Sequence, residues 1–273
     1  MIKIRIYFFF IVLCALVACT QERSRQPLQI IFTNDSHSQV EPLKGVGGFE
    51  ARAAIIDSLR KVNPNTILLD AGDMWQGTPY FNLFKGRLEV DAYNLMAYDA
   101  VTLGNHEFDY GIDTLLARVV DMNFPIVCAN YDFSATSLNG IIKPYIVIER
   151  KDWRVGVIGV GVNPEGLILQ SNIEGVVYND PIESVNSYAN FLKQELKCDY
   201  IIVLSHLGLH DDTVFDNVSD SVLIANVTDV DLVLGGHTHQ YKGVFNFVDQ
   251  EGDTVPAIQE YKAGQKLYSI TIK

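Results

Sequence analysis

Ala100-Val101-Thr102-Leu103-Gly104-Asn105-His106-Glu107 is the stretch from which the fold is read. Four residues suited to a buried strand run into Gly104-Asn105, a pair that breaks extended structure into a tight turn. Three polar side chains therefore stand just beyond the end of a strand. The same layout recurs on both sides of this stretch. Upstream, the strand-like Leu28–Thr33 runs into Asn34-Asp35-Ser36-His37, and Thr66–Asp70 runs into Ala71-Gly72-Asp73. Downstream, Tyr200–Leu204 runs into Ser205-His206, and Asp231–Leu234 runs into Gly235-Gly236-His237-Thr238-His239. Five of the six His in the chain stand at such strand ends.

Helical patterns separate the strands. From Gly48 to Val62, apolar Ala51, Ala54, Ile55, Leu59 and Val62 recur near helical spacing. Glu89–Met96, Ile112–Asp121, Ile182–Leu196 and Val214–Ala225 also read as helices, and Pro125–Cys128 as a further strand. Strands alternating with helices imply an α/β fold with a mostly parallel sheet. Two β-rich stretches, near residues 144–160 and 243–273, predict a second, mixed sheet. No linker and no internal repeat interrupts residues 28–273, which read as one domain of catalytic size.

In open α/β sheets, ligands bind beyond the carboxyl ends of the strands. All five polar groups gather there. Residues two apart in extended backbone point the same way, so Asp35 and His37 are expected to approach one metal together. The donor set is His and Asp with one Asn and no Cys, which suits Zn, Mn or Fe rather than a thiolate site. Seven donors exceed one tetrahedral ion. They suit two ions about 3.5–4 Å apart sharing a bridging carboxylate. His210 fits no motif and reads as a surface residue.

Composition removes other classes. Apolar residues make up 48% and charged residues 20% of the 273, an ordinary globular mix. Asp and Glu outnumber Lys and Arg by 33 to 21, a net charge of −12 that argues against binding nucleic-acid polymers. Four Cys are too few for a disulfide-built scaffold.

The N-terminus reads as an address. Lys3 and Arg5 precede an apolar run from Ile6 to Ala18 that is short for a bilayer span and suits a secretory signal. Leu16-Val17-Ala18-Cys19 resembles the bacterial lipoprotein box, which implies removal of residues 1–18 and lipidation of Cys19. Residues 19–27 then form a polar tether and 28–273 the catalytic domain. Cleavage removes two cations and no acid, taking the net charge from −12 to −14. The expected location is exported and membrane-anchored, on the outer-membrane or periplasmic side. Cys128 and Cys198 read as two separately buried thiols.

The ordered set Asp35-x-His37, Gly72-Asp73, Gly104-Asn105-His106-Glu107, His206 and Gly236-His237-x-His239 resembles the calcineurin-like metallophosphoesterases. The stretches 69–78, 98–111, Gly47-Gly48-Phe49-Glu50-Ala51-Arg52 and Ser205–Gly208 resemble the 5′-nucleotidase family among them. The resemblance implies a four-layer α/β/β/α sandwich. It implies that Asp35, His37, Asp73 and His239 hold one divalent ion. Asp73, Asn105, His206 and His237 then hold a second, with Asp73 the bridge. Asn105 and His106 would face the substrate, and His106 would act in catalysis with Asp109. The implied reaction is hydrolysis of phosphate esters, most of all 5′-nucleotides, by a water activated between the two metals. Members of that family also carry a C-terminal domain that binds the nucleotide, and this chain stops at Lys273. A separate chain supplying that domain is one expectation. A hydrolase of cyclic-nucleotide, diphosphate or sulfur-linked substrates is another, since the same ligands would serve. The intact ligands and His106–Asp109 pair argue against a non-catalytic surface lipoprotein.

Overall fold

All six residues from Leu28 to Thr33 are buried, a pattern that requires a strand covered on both faces. The computed structural model describes residues 25–210, 218–239 and 243–273. The expected signal peptide, Cys19, the tether up to residue 24 and residues 214–217 of the expected Val214–Ala225 helix lie outside the described residues. The first half of the chain runs β1 (Leu28–Thr33), α1 (Phe49–Val62), β2 (Thr66–Asp70), α2 (Pro79–Phe84), α3 (Arg87–Met96), β3 (Ala100–Thr102), α4 (Gly111–Val119) and β4 (Ile126–Val127). The second half runs β5 (Tyr131–Asp132), β6 (Tyr145–Arg150), β7 (Trp153–Gly161), β8 (Val177–Tyr178), α5 (Pro181–Gln194), β9 (Tyr200–His206), α6 (Asp220–Ala225), β10 (Leu232–Gly235), β11 (Gly243–Val248), β12 (Thr254–Gln259) and β13 (Tyr268–Ile272).

Two sheets form a sandwich. The first has strand order β13-β1-β2-β3-β4 and the second β11-β12-β10-β9-β7-β6, while β5 and β8 pair separately. In the first sheet β1 to β4 are parallel and β13 is antiparallel to β1. In the second, β12, β10, β9 and β7 are parallel, and β11 and β6 are antiparallel edges. The expected second, mixed sheet takes β11 and β12 from residues 243–273, but the placing of the last strand is corrected. β13 crosses back to pair Leu28 with Ile272 and makes the first sheet mixed as well. That position adds Tyr268, Ile270 and Ile272 to the apolar space between the sheets.

Strand alternation builds three apolar layers. Ile30 and Phe32 point between the sheets and meet residues such as Val155, Ile202 and Leu234. Ile31, Leu68 and Val101 point outward beneath the first-sheet helices, among them Ile56 of α1, Val90 and Tyr93 of α3 and Leu115 of α4. Ile201, Val203 and Val233 point the other way, beneath Val185 and Leu192 of α5 and Leu223 of α6. Each such side chain, fully buried, contributes roughly 1.5–3 kcal/mol. The result is the four-layer α/β/β/α sandwich. Cys128 and Cys198 are separate, buried free thiols. His210 is exposed, with its ring edge-on to Phe245 and Phe247.

Strand register positions the chemistry. β1 pairs with β2 so that Thr33 lies opposite Asp70. β10 pairs with β9 so that Gly235 lies opposite Ser205. The loops after β1, β2, β3 and β10 and the end of β9 therefore share one edge of the sandwich.

Candidate metal centre

Backbone hydrogen bonds lace these loops together before any side chain is considered. The amides of Asp35, His37 and Ser38 donate to the carbonyls of Gly72, Asp73 and Met74 at 2.9–3.0 Å. His237 donates its amide to the Asp35 carboxylate at 3.1 and 3.2 Å, and His106 donates its amide to Asp73 Oδ1 at 3.0 Å. Asn34 braces the first loop by exchanging hydrogen bonds with the backbone of Glu260 at 2.7 and 3.0 Å. Gly72 has φ 89°, and a Cβ there would lie 2.5 Å from the Gly104 amide, so two loops touch backbone to backbone.

The sequence reading placed Asp35 and His37 on extended backbone, and that is corrected. Both are left-handed, at φ 47° and 46°. Asp73 (53°), His237 (83°) and His239 (57°) are left-handed as well. Non-glycine residues in this region cost about 1–2 kcal/mol each and persist where surrounding contacts hold them. The side chains converge through tight turns rather than through the pleat of a strand.

The first four donors form one cluster. Ligand atoms of Asp35, His37, Asp73 and His239 all lie within 4.8 Å of one another. His239 Nε2 is 2.8 Å from His37 Nε2 and 3.0 Å from Asp35 Oδ1. The remaining donors surround the other side of Asp73. His206 Nε2 lies 3.1 Å from Asp73 Oδ2, and His237 Nδ1 lies 3.1 Å from Asn105 Oδ1. The His206 and His237 rings are 5.2 Å apart between centroids. All seven predicted ligands thus meet at one place, with Asp73 between the two groups.

The donor chemistry fits cations there. His206 is fully buried, and its Nδ1 sits 2.7 Å from the carbonyl of Ala71, which requires an N–H at Nδ1. In the neutral ring, Nε2 then presents a lone pair toward the Asp73 carboxylate and has no hydrogen-bond donor. Two electron pairs facing each other at 3.1 Å call for a positive charge between them. Without a metal that charge is a proton: burial lowers His206, yet Asp73 outweighs it and pushes the imidazole up to about 10. Burial raises Asp73, and His206 overrides that to hold its carboxyl far below the ordinary range. Burial, with His206 beside it, lowers His237 to about 4, and burial lowers His37. Both stay neutral at pH 7, the state in which imidazole binds metal.

His106 stands apart from the ligands, with its ring 5.4 Å from that of His37. Its Nδ1 lies 3.0 Å from Asp109 Oδ2 across the short 3₁₀ turn His106–Phe108. Burial lowers the ring, and the hydrogen bond to Asp109, together with the nearby charges of Asp73, Asp109 and Glu107, raises it above the ordinary histidine value. Asn172 holds Asp109 in turn, donating to its carbonyl at 3.0 Å.

Two supports escaped the sequence reading. Glu107 is 1% exposed and receives three backbone N–H bonds, although burial and the Asp73 charge push its carboxyl up to about 8. Asp70 lies beneath the site and accepts from Thr33 Oγ1 (2.6 Å), Tyr93 Oη (3.0 Å) and the Gly72 amide (2.9 Å). Buried Arg52 packs over the rings of Phe49 and Tyr93. Only the motif position of Glu107 and the strand-end position of Asp70 signalled them.

Known proteins place this geometry. The sequence profile of the calcineurin-like phosphoesterases matches residues 28–241. The snake venom 5′-nucleotidase of Crotalus adamanteus is 35% identical over 88% of this chain and 44% of its own length. The 5′-nucleotidase of Bos taurus is 31% identical over 88% of this chain and 45% of its own. A crystal structure of a 5′-nucleotidase precursor from Thermus thermophilus superposes with a TM-score of 0.83 at 30% identity, covering 91% of this chain and 51% of that one. The chain spans about half the length of these relatives. Sequence profile, sandwich topology and the ligand cluster at the strand ends agree, and the chain belongs to the calcineurin-like phosphoesterase family, whose centre is a pair of metal ions.

Proposed function

We propose that the protein hydrolyses phosphate monoesters, with nucleoside 5′-phosphates as its main substrates. The observation that carries this reading is the convergence of seven ligand side chains beside an Asp-held His. Asp35, His37, Asp73 and His239 would hold one divalent ion, and Asp73, Asn105, His206 and His237 the other. When bound, the pair would supply a nucleophile from water at neutral pH and offset the charge of the phosphoryl oxygens. Zn, Mn and Fe all suit these donors.

The chain's own residues supply the rest. Asp109 fixes the His106 ring through Nδ1 and leaves Nε2 to face the substrate. The same contact favours the protonated ring, which can donate to the leaving oxygen as the ester bond breaks. Asn105 lies next to His106 and contributes a neutral amide oxygen, which adds no charge beside an anionic substrate.

The length of the relatives supports a second feature of this reading. Nucleotide recognition would then draw on the half of those proteins that is not matched here. Export and lipidation at Cys19 are proposed from the signal-like N-terminus, which would tether the enzyme to a membrane. Product analysis after incubation with nucleoside monophosphates, a cyclic nucleotide, UDP-sugars and an aryl phosphate, with Mn²⁺ or Zn²⁺, tests the whole reading. Activity on nucleotides above the aryl phosphate supports it. Equal activity on all of them would assign nucleotide preference elsewhere, and activity confined to cyclic or diphosphate substrates would replace it.

A further inference from the structure

Glu107 follows His106 in the chain, yet its side chain turns away from the ligand cluster and lies beneath it. Its carboxylate accepts the amide of Asp73 at 2.9 Å, that of Met74 at 2.9 Å and that of Gly104 at 2.6 Å. Two of these amides belong to the loop after β2 and one to the loop after β3. The ladder between β2 and β3 covers only Leu69↔Ala100 and Asp70↔Val101, so it ends before either loop begins. Beyond that point Glu107 supplies bonds the ladder lacks. The loops it joins carry Asp73, common to both ligand groups, and Asn105, which belongs to one of them.

We propose that Glu107 is a positioning residue: it sets the Asp73 loop against the Asn105–His106 loop so that the second metal site, made by Asp73, Asn105, His206 and His237, assembles. This rests on the two-ion reading above. The first site draws its other ligands from the loops after β1 and β10, which the amides of Asp35, His37 and His237 fasten independently. Its dependence on Glu107 is correspondingly small.

The test is calorimetric titration of metal-free protein with Mn²⁺. Glu107→Gln keeps the shape of the side chain but turns an NH₂ against one of the three N–H donors. The expected result is a folded protein whose second Mn²⁺ binds roughly 10–100-fold more weakly, the usual cost of losing an outer-shell partner, with the first nearly unchanged. Glu107→Asp keeps the carboxyl group on a shorter arm and should give an intermediate loss, which serves if the Gln variant fails to fold. Asp99→Ala is the control. Its carboxylate also accepts a backbone amide, that of Leu68 at 2.8 Å, but in the middle of β2, away from the ligand loops. It should lower Tm and leave both metal affinities intact. Wild-type affinities in both Glu107 variants, or a loss no larger than that in Asp99→Ala, would overturn the proposal. A wild-type protein that binds fewer than two ions would instead overturn the two-ion reading, and this proposal with it.

Discussion

His106 and Asp109 form a pair whose geometry gives separable expectations. His106→Ala removes the group that faces the substrate and leaves every proposed ligand in place. Phosphate release should fall about 10²–10⁴-fold at saturating substrate, while Mn²⁺ stoichiometry by calorimetry stays at the wild-type value. Asp109→Asn keeps the ring but weakens its orientation, and a smaller loss in kcat, about 10–100-fold, is expected with KM little changed. At this scale the sequence was most legible. The proposed metal ligands are His, Asp and Asn gathered at strand ends, and polar residues of that kind following apolar strand runs are visible without a structure. Glu107 was visible but its contacts were not, because a carboxylate that binds backbone amides leaves no pattern in side-chain types. The left-handed backbone at Asp35 and His37 was hidden for a related reason. The Asp-x-His spacing is compatible with both a strand and a turn.

The elements that matter most are the loops at the strand ends, and they are built with little slack. A Cβ on Gly104 would overlap the Asp73 carboxylate, so Gly104→Ala must displace either the shared ligand or the β3 loop. Weakened binding of both ions by at least tenfold, read by the same titration, is the expected outcome. The start of α6 gives a pH prediction for the metal-free protein. Asp220 is fully buried and accepts from Ser205 Oγ at 2.5 Å, and burial pushes its carboxyl up to about 7. A carboxyl raised above its unfolded value costs nothing below about pH 4, where it is protonated in both states. Its cost grows as pH rises toward 7, to roughly 4 kcal/mol at most. Metal-free wild type should therefore lose stability from pH 5 to pH 8 in urea unfolding, and Asp220→Asn should flatten that slope. An unchanged slope in the variant would place the titration elsewhere. Elements of ordinary length were legible from periodicity, and α2 was not. Its six residues, opening on Pro79, are too few to show a helical period.

At the scale of the whole molecule, the sandwich puts its two ends to different uses. The ligand loops occupy the carboxyl edge of both sheets. Residues 25–27 sit at the opposite edge, where the Gln26 carbonyl accepts from Trp153 Nε1 at 2.7 Å and the Pro27 carbonyl accepts from Asn63 and Asn65 at 3.2 and 3.1 Å. An N-terminal lipid would thus hold the centre away from the membrane by about the 20 Å length of a six-residue strand. Cys19→Ala should move the protein from the membrane to the soluble fraction and leave kcat unchanged. A variant that stays with the membrane would contradict the anchor. The alternation of strand and helix made the layered architecture legible from sequence. The sheet that β13 joins was not, because strand pairing at a free edge depends on where the chain returns rather than on what it contains.

The central claim is a two-metal phosphoesterase centre, and one titration addresses it directly. Metal-free protein would be titrated with Mn²⁺ while phosphate release from a nucleoside monophosphate and bound metal are followed together. Activity should rise to a plateau as the second ion per chain binds, with none regained by the His206→Ala variant at the same metal concentration. Full activity with one ion bound, or two ions bound with no hydrolysis of any phosphate ester, would contradict it.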